Sequence, residues 1–548
     1  MSTRRTLLTG ALALAGGGAA AVGAEAPPAA GAPGRSSPAL APADVRHYGL
    51  VPNKPEAAAE NTRALKTLVA PGGGFRGTLA FGNTTGSDVY HLNDIIPFAD
   101  GIDIDLQGST LRFTKQGTKS DTNAGFIFAV RDFTIQNGSI VIDYQMGGGG
   151  TNAGNALTFG NRGTDSQYFS PIYDSLLPVP MGNIAVRNLR ISSNTAGGNG
   201  ILMIGGLSGV VMENVWIDGS GVLSTGIYYE FGWATNEPDR TARQTSHAHN
   251  LRFVNISIVN MDTKSGQAFG LTGAYNCSID GLYVRSSKIL FQCSPGEATF
   301  FRPWKGVDQI GAKRNVALRN VVGVHITGTA ISVTGASATS GGYLARAQVP
   351  LQAQVDLLDF FMESFAIDGG DLDGGYGIQS SAEKMDLRDG RITRFSRGIA
   401  VTDECTRMNI EGIDILDCRQ WGILLGGFAL FKPPRQKMGF IRGCFIAGNG
   451  AATPGNFAAI QLDQSAGFII EGNRLGYEPA HDGLAETTQG FGIRLDANAR
   501  GVVCRCNYVG GVRQGGVAYY NFATTDAQGN TLQNAVGVTS SRGAWLRG

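Results

Sequence analysis

Apolar and polar residues alternate strictly along much of this chain, and the alternation is interrupted at regular intervals by a single Asn or Gly. "AHNLRFVNISIVNM" from Ala248 shows the pattern: apolar–x–apolar, one Asn, then apolar–x–apolar again. "MGNIAVRNLRISSN" from Met181, "LSGVVMENVWIDGS" from Leu207, "AYNCSIDGLYVRSS" from Ala274 and "AKRNVALRNVVGVH" from Ala312 repeat it. Alternation with a period of two predicts strands, and the interruption predicts a bend between two short ones. Asn188, Asn214, Asn255, Asn320 and Asn507 are assigned to the bend, and Gly390, Gly412, Gly443 and Gly472 lie at or beside it in other copies. Both residue types tolerate the left-handed backbone region that a tight bend requires. Between copies runs a third apolar segment, such as "TGIYYEFG" from Thr225, "QAFGLTG" from Gln267, "YGIQSS" from Tyr376 and "WGILLGG" from Trp421.

Three short strands repeating at a minimum of about 23 to 26 residues form a coil that cannot bury its apolar face alone. Stacked coils bury a continuous core, which makes the expected fold an all-β parallel β-helix of roughly 13 to 14 coils beginning near Ile102. No helical crossovers separate the strands, which excludes a doubly wound α/β sheet. One helix is predicted, in "NKPEAAAENTRALKTLVAPGGG": it is Ala-rich and amphipathic and is ended by Pro and Gly. Placed before the array, it would cover the strand edges of the first coil.

Composition refines this picture. The chain has 548 residues, 80 of them Gly, and a formal net charge of +1. Near-neutral charge gives no electrostatic footprint for nucleic acid or for a membrane surface. Arg4 and Arg5, followed by an Ala- and Gly-rich apolar run, match a twin-arginine export signal over residues 1–25. A Pro/Ala-rich linker is assigned to 26–43 and a single β-helix domain to 44–548. The mature chain is therefore expected to be secreted or periplasmic, with no membrane span. Seven Cys cannot all pair within one chain, none shows Cys-x-x-Cys spacing, and most are read as packing residues.

"DVRHYGLVPNKPEAAAENTRALKTLV" followed by such coils resembles the opening of the pectate-lyase-like, single-stranded right-handed parallel β-helix superfamily. That resemblance implies a Tyr-Gly strand, an N-terminal capping helix, and a stacked-Asn bend joining the second and third strands. It also implies a substrate groove along the outer face of the "YGI"-type strand. The superfamily contains lyases, hydrolases, epimerases and phage spikes, so the resemblance bears on fold more than on chemistry.

Long connections follow that strand at 160–182, 232–248, 295–313 and 336–356, and they centre the expected groove on 225–381. With Ile227 and Tyr229 inward, Tyr228 and Glu230 point outward, with Thr272, Gln292, Ser332, Thr334, Gln379 and Ser381 as their counterparts in other coils. The connection after Glu230 carries Trp233, Asp239, Arg240, Arg243, His247 and His249. His249 falls in the strand-start slot of Tyr275 and Arg314 and is read as structural, leaving His247 as a general-base or substrate-binding candidate. Arg302, Trp304 and Lys305 supply a sugar platform and an anion contact, and Asp262 and Lys264 form the opposite wall.

Two chemistries fit these residues. A polysaccharide lyase must neutralise a uronate carboxylate and remove the adjacent proton. Arg240, Arg243, Arg302 or Lys305 could neutralise it, and His247, Lys264 or Tyr228 could take the proton. Calcium serves for neutralisation in several members of the superfamily, and Asp368, Asp371 and Asp373 are the acidic cluster available for it. A glycoside hydrolase needs two carboxylates about 5 to 9.5 Å apart, for which Glu230 with Asp239, Asp262, Asp371 or Asp373 qualifies. A non-catalytic glycan binder is the third reading. The expectation is a lyase acting on an extracellular polysaccharide, with hydrolase as the alternative and no obligatory cofactor. The broad flanks of a solenoid also leave room for homo-oligomers.

Overall fold

The computed structural model describes residues 41 to 533, apart chiefly from 71–72, 115–124, 144–154, 161–180, 231–247, 295–313, 334–357, 371–374, 402–406, 427–435, 478–481 and 520–530. The chain enters through a short strand, Ala43–Asp44, and a 3-10 turn, Val45–Tyr48. The Tyr-Gly pair was expected in a strand; it instead ends this turn, with Gly49 at φ 88°. The reason is local. The Asp44 carboxylate accepts the Arg46 N–H at 2.9 Å, and the Gly49 N–H donates to the Arg46 carbonyl, which closes the chain before it can extend.

The expected helix runs Ala58–Val69, led in by a 3-10 turn at Pro55–Ala57. Its buried face comprises Ala58, Asn61, Thr62, Leu65 and Val69. Asn61 is buried because it acts as a substitute strand partner. Its amide accepts from the Val51 N–H at 2.8 Å and donates to the Val51 carbonyl at 2.9 Å and the His91 carbonyl at 3.2 Å. At the helix end, the Val69 carbonyl accepts from Ala99, just past the opening strand of the second sheet. The helix thus supplies the hydrogen bonds that the first coil cannot obtain from a preceding one.

Beyond it, every strand pairing is parallel. Long strands such as Met181–Ser193, Leu207–Asp218 and His249–Val259 pass through the bend and stack in one sheet. Among the described residues the third segments form a second sheet of 14 strands, in keeping with the 13 to 14 coils read from the repeats. The two sheets enclose one core. Because equivalent positions stack, Phe269 lies 4.9 Å from Phe253 and 5.9 Å from Phe291, which itself lies 6.3 Å from Phe360.

The bend is a stack of left-handed residues. Asn137, Asn188, Asn214, Asn255 and Asn320 have φ between 49° and 60°. Each Asn amide donates to the residue one coil below: Asn188 to Asn137 at 2.9 Å, Asn214 to Asn188 at 3.0 Å and Asn255 to Asn214 at 3.1 Å. Where Gly281 takes the position, Asn320 reaches Asp280 instead, at 2.7 Å. Gly412, Gly443 and Gly472 occupy the bend as expected, but Asp389 rather than Gly390 and Cys506 rather than Asn507 adopt positive φ. Asn507 lies one step later and turns inward. Its side-chain oxygen accepts from Asn473 and its amide donates to the Ile470 carbonyl, so a buried Asn ladder replaces the exposed one at this end.

One outward position of the first sheet alternates in charge from coil to coil. In register run Asp280, Arg319, Glu363, Arg388, Glu411, Arg442, Glu471 and Arg505. Neighbouring strands lie about 4.8 Å apart, so each charge from Arg319 to Glu471 faces an opposite one above and below. Arg442 meets Glu411 at 2.8 Å, Arg505 meets Glu471 at 2.6 Å and Arg319 meets Glu363 at 3.6 Å.

Cys277, Cys293, Cys418, Cys444 and Cys504 are buried, in line with the packing role read from the sequence, while Cys506 is exposed. Burial pushes the thiols of Cys418 and Cys444 up to about 12, which leaves them without nucleophilic thiolate. No helix among the described residues is long and apolar enough to cross a membrane.

Asn214→Ala should lower stability by about 1–2 kcal/mol, combining left-handed strain with the lost ladder bonds. Asn214→Gly, which adopts positive φ freely, should cost less; denaturant titration of the two variants separates these contributions. Glu411→Lys places three like charges in sequence along the first sheet. Its thermal midpoint should fall, and the fall should shrink in about 1 M salt.

Candidate functional site

The outer face of the second sheet is built by register. Tyr228, Gly270, Gln292, Ser332 and Gln379 occupy one line across successive coils. Of the expected outward residues, this joins Tyr228, Gln292, Ser332 and Gln379 in a partly exposed row. Thr272 pairs with Ser294 in the next line and, like Ser381, is almost fully covered. Gly270 keeps the row continuous. A Cβ there would lie 2.7 Å from the Tyr228 ring and 2.3 Å from the Gln267 amide, so Tyr228 of the neighbouring coil and Gln267 of the same strand both lie over the glycine.

Tyr229, on the opposite side of the strand, is fully buried and accepts the Ala248 N–H on its hydroxyl at 2.6 Å. That bond brings the end of the Thr225–Glu230 strand and the start of the His249–Val259 strand together. The segment carrying the His247 candidate lies in sequence between these two strand ends. Glu230 ends its strand, paired with Ile204 of the coil below. Trp233, Asp239, Arg240, Arg243, His247, Arg302, Trp304, Lys305, Thr334, Asp371 and Asp373 lie outside the described residues. His249 is exposed and pairs in register with Tyr275, in the strand-start slot assigned to it.

On the wall, the Asp262 carboxylate accepts from the Ser265 hydroxyl and, at 2.9 Å, from the Lys264 N–H. Those bonds, the hydroxyl's first, hold the carboxyl below the usual carboxylate range. Asp262 is therefore a charged turn-former near neutrality, the opposite of a general acid. Lys264 is exposed beside it. Asp368, the described member of the acidic cluster, turns both oxygens to Arg394 and accepts the Thr393 hydroxyl at 2.9 Å. A calcium ion at Asp368 would have to displace that guanidinium, so this residue fits a metal poorly. Among the described residues no group of three His, Cys, Asp or Glu could hold a metal ion.

The strip extends further than the sequence indicated. Tyr376, Arg397 and Trp421 stand one above another at the starts of three successive strands. They precede Gly377, Gly398 and Gly422, where a Cβ would strike core side chains of Ile392, Ile415 and Ile446. The glycines therefore face inward and the residues before them outward. The Arg397 guanidinium lies 5.0 Å from the Tyr376 ring centre and 5.2 Å from that of Trp421. Trp421 also packs edge-on against Phe457 at 4.7 Å and donates its indole N–H to Gln461 at 2.6 Å. The Gln461 amide in turn donates to both oxygens of Asp463, at 3.0 and 3.1 Å. The signal was present in "YGI", "RGI" and "WGI", but strict alternation assigns the residue before the glycine to the core.

These coils, with their left-handed corners and a separate third sheet strand, define the single-stranded right-handed parallel β-helix. No protein-family model matches the chain, and no curated protein sequence does. Among solved structures, it is similar over 90% of its length to a tailspike protein of E. coli bacteriophage HK620 in complex with a pentasaccharide, at 10% identity, TM-score 0.49 and 78% of that chain. It is similar to the A-module of mannuronan C-5 epimerase AlgE6 from Azotobacter vinelandii, covering 90% of this chain and 99% of that one at 8% identity and TM-score 0.35. It is also similar to tailspike protein 3 of bacteriophage CBA120, over 91% of this chain at 12% identity and TM-score 0.41, and spans 62% of that chain's length.

Gly270→Ala should shift Tyr228 and Gln267 while leaving the core intact. The expected outcome is an almost unchanged thermal transition, with the Tyr228 and Gln267 side chains displaced in a crystal structure of the variant.

Proposed function

We propose that this chain is an exported enzyme acting on an extracellular polysaccharide, with the glycan lying along the outer face of the second sheet. The observation that supports this reading is the row from Tyr228 to Gln379, polar and partly exposed, which continues into the aromatic and guanidinium groups at Tyr376, Arg397 and Trp421. Such a strip offers hydroxyl partners at each coil step, about 4.8 Å apart, along a line as extended as a glycan chain.

The reaction we infer is β-elimination on a uronate-containing chain. Arg240, Arg243 and Lys305 would neutralise the carboxylate and so acidify the adjacent proton, which His247 would remove. Glu230 stands at the same strand end and would orient the attacked sugar. Substrate binding would fall to Tyr228, Trp233, Lys264, Gln292, Arg302, Trp304 and Gln379. Export would follow the signal at 1–25, with the linker at 26–43 leading into the catalytic domain.

Uronate-rich and neutral polysaccharides incubated with the purified protein, and followed by near-ultraviolet absorbance and reducing ends, test this. Absorbance rising with reducing ends is expected. Reducing ends without absorbance would replace elimination by hydrolysis and make Glu230 a catalytic carboxylate. Proton exchange with deuterated solvent, without cleavage, would mean epimerisation. His247→Ala should cut turnover by at least about 100-fold, in the range for a lost acid–base group, and Glu230→Gln should also reduce it sharply, with the thermal transition nearly unchanged in both.

A further inference from the structure

Arg397 is the observation carried furthest. Its strand-start position places it between two aromatic rings that are two coils apart, a gap of about 9.6 Å at the usual strand spacing. A planar guanidinium occupies that gap, over the Tyr376 ring on one side and the Trp421 ring on the other. The group is also fixed in rotation. Its Nε donates to the Gln420 side-chain oxygen at 2.8 Å, and one terminal nitrogen donates to the Tyr376 hydroxyl.

This arrangement decides what the site can bind. The guanidinium takes the facing sides of both rings, and the Trp421 and Phe457 rings meet edge to face, so the sides of the stack that face Arg397 are closed to a sugar. What remains is the outer edge of the guanidinium. A guanidinium carries five N–H donors, and its second terminal nitrogen makes no bond to a described residue. Flank arginines such as Arg388, Arg394, Arg442 and Arg505 each meet a carboxylate. Arg397 meets none among the described residues, yet it is partly buried and held on the glycan-facing side. An oriented cation that meets no carboxylate among the described residues is suited to a bidentate oxyanion.

We propose that Arg397 forms a subsite for an anionic sugar substituent, a carboxylate or a sulfate, held by the guanidinium edge and lying several coils beyond the Glu230 strand. It is a specificity-determining binding residue, and Gln420 and Trp421 are positioning residues for it. The subsite deepens the reading of the second sheet as a glycan-binding face, and its test does not depend on turnover.

Affinity electrophoresis on polygalacturonate, carboxyl-reduced polygalacturonate, dextran sulfate and dextran reads it directly. Arg397→Gln should weaken retention by polygalacturonate or dextran sulfate about tenfold, as expected for one charge-assisted contact, and leave retention by their neutral counterparts unchanged. The gel that responds identifies the oxyanion. Equal retention of variant and parent on both acidic gels, or an equal loss on acidic and neutral gels, would overturn the proposal. Should Arg397→Gln not fold, Gln420→Ala keeps the charge but releases its orientation and should weaken acidic retention alone, by several-fold. A selective loss in a protein that turns over no glycan would retire the enzymatic reading and keep the subsite. Full turnover with no selective loss would do the reverse.

Discussion

A solenoid grows only if each coil turns its corners at the same place as the one before it. In this protein that demand falls on a single backbone torsion. The residue between the two halves of each long strand adopts positive φ, at 49° in Asn188, 56° in Asn214 and 53° in Asn255. The resulting bend lets both flanking segments keep their apolar residues inward while the chain changes direction. A Cβ-bearing residue other than Asn or Asp resists that torsion, and the Asn amides use it to bond to each other along the axis. The succession of Phe253, Phe269, Phe291 and Phe360 along the core follows from the same registration, as does the alignment of outward residues on the second sheet.

Much of this was legible because a period of two and a bend every coil are local facts. The Asn bends, the capping helix at Ala58–Val69 and the fourteen-stranded second sheet followed from pattern alone. The exceptions arose where geometry departs from the pattern by one residue. Tyr48 and Gly49 read as a strand but close into a turn because Asp44 captures the Arg46 N–H. Asn507 reads as a bend residue but serves the buried ladder one step later. Arg397 and Trp421 read as core by alternation. An inward glycine after each of them shifts the phase, and only the core contacts of that glycine reveal it.

Position along the chain and position in the site are related simply here. Successive strands of the second sheet hold the line from Tyr228 to Gln379 at fixed heights, and the connections that follow them vary in length. The Tyr229 hydroxyl shows how the regular part disciplines the irregular one. By holding Ala248, it returns the chain to the next strand regardless of what the intervening residues carry. Chemistry can therefore change in the connection while the coil stays the same, which suits a scaffold whose core is indifferent to its ligand.

The alternating charges from Asp280 to Arg505 give the stack a parity. Parallel strands of similar sequence are prone to pair with the wrong neighbour, since apolar positions look alike in every coil. A coil that skipped one neighbour would set Arg against Arg or Glu against Glu along this line, whereas skipping two would restore opposite signs. The ladder thus excludes odd errors electrostatically and leaves even ones to be rejected by the shapes of core residues. Misassembled forms of this chain are accordingly expected to lack coils in pairs.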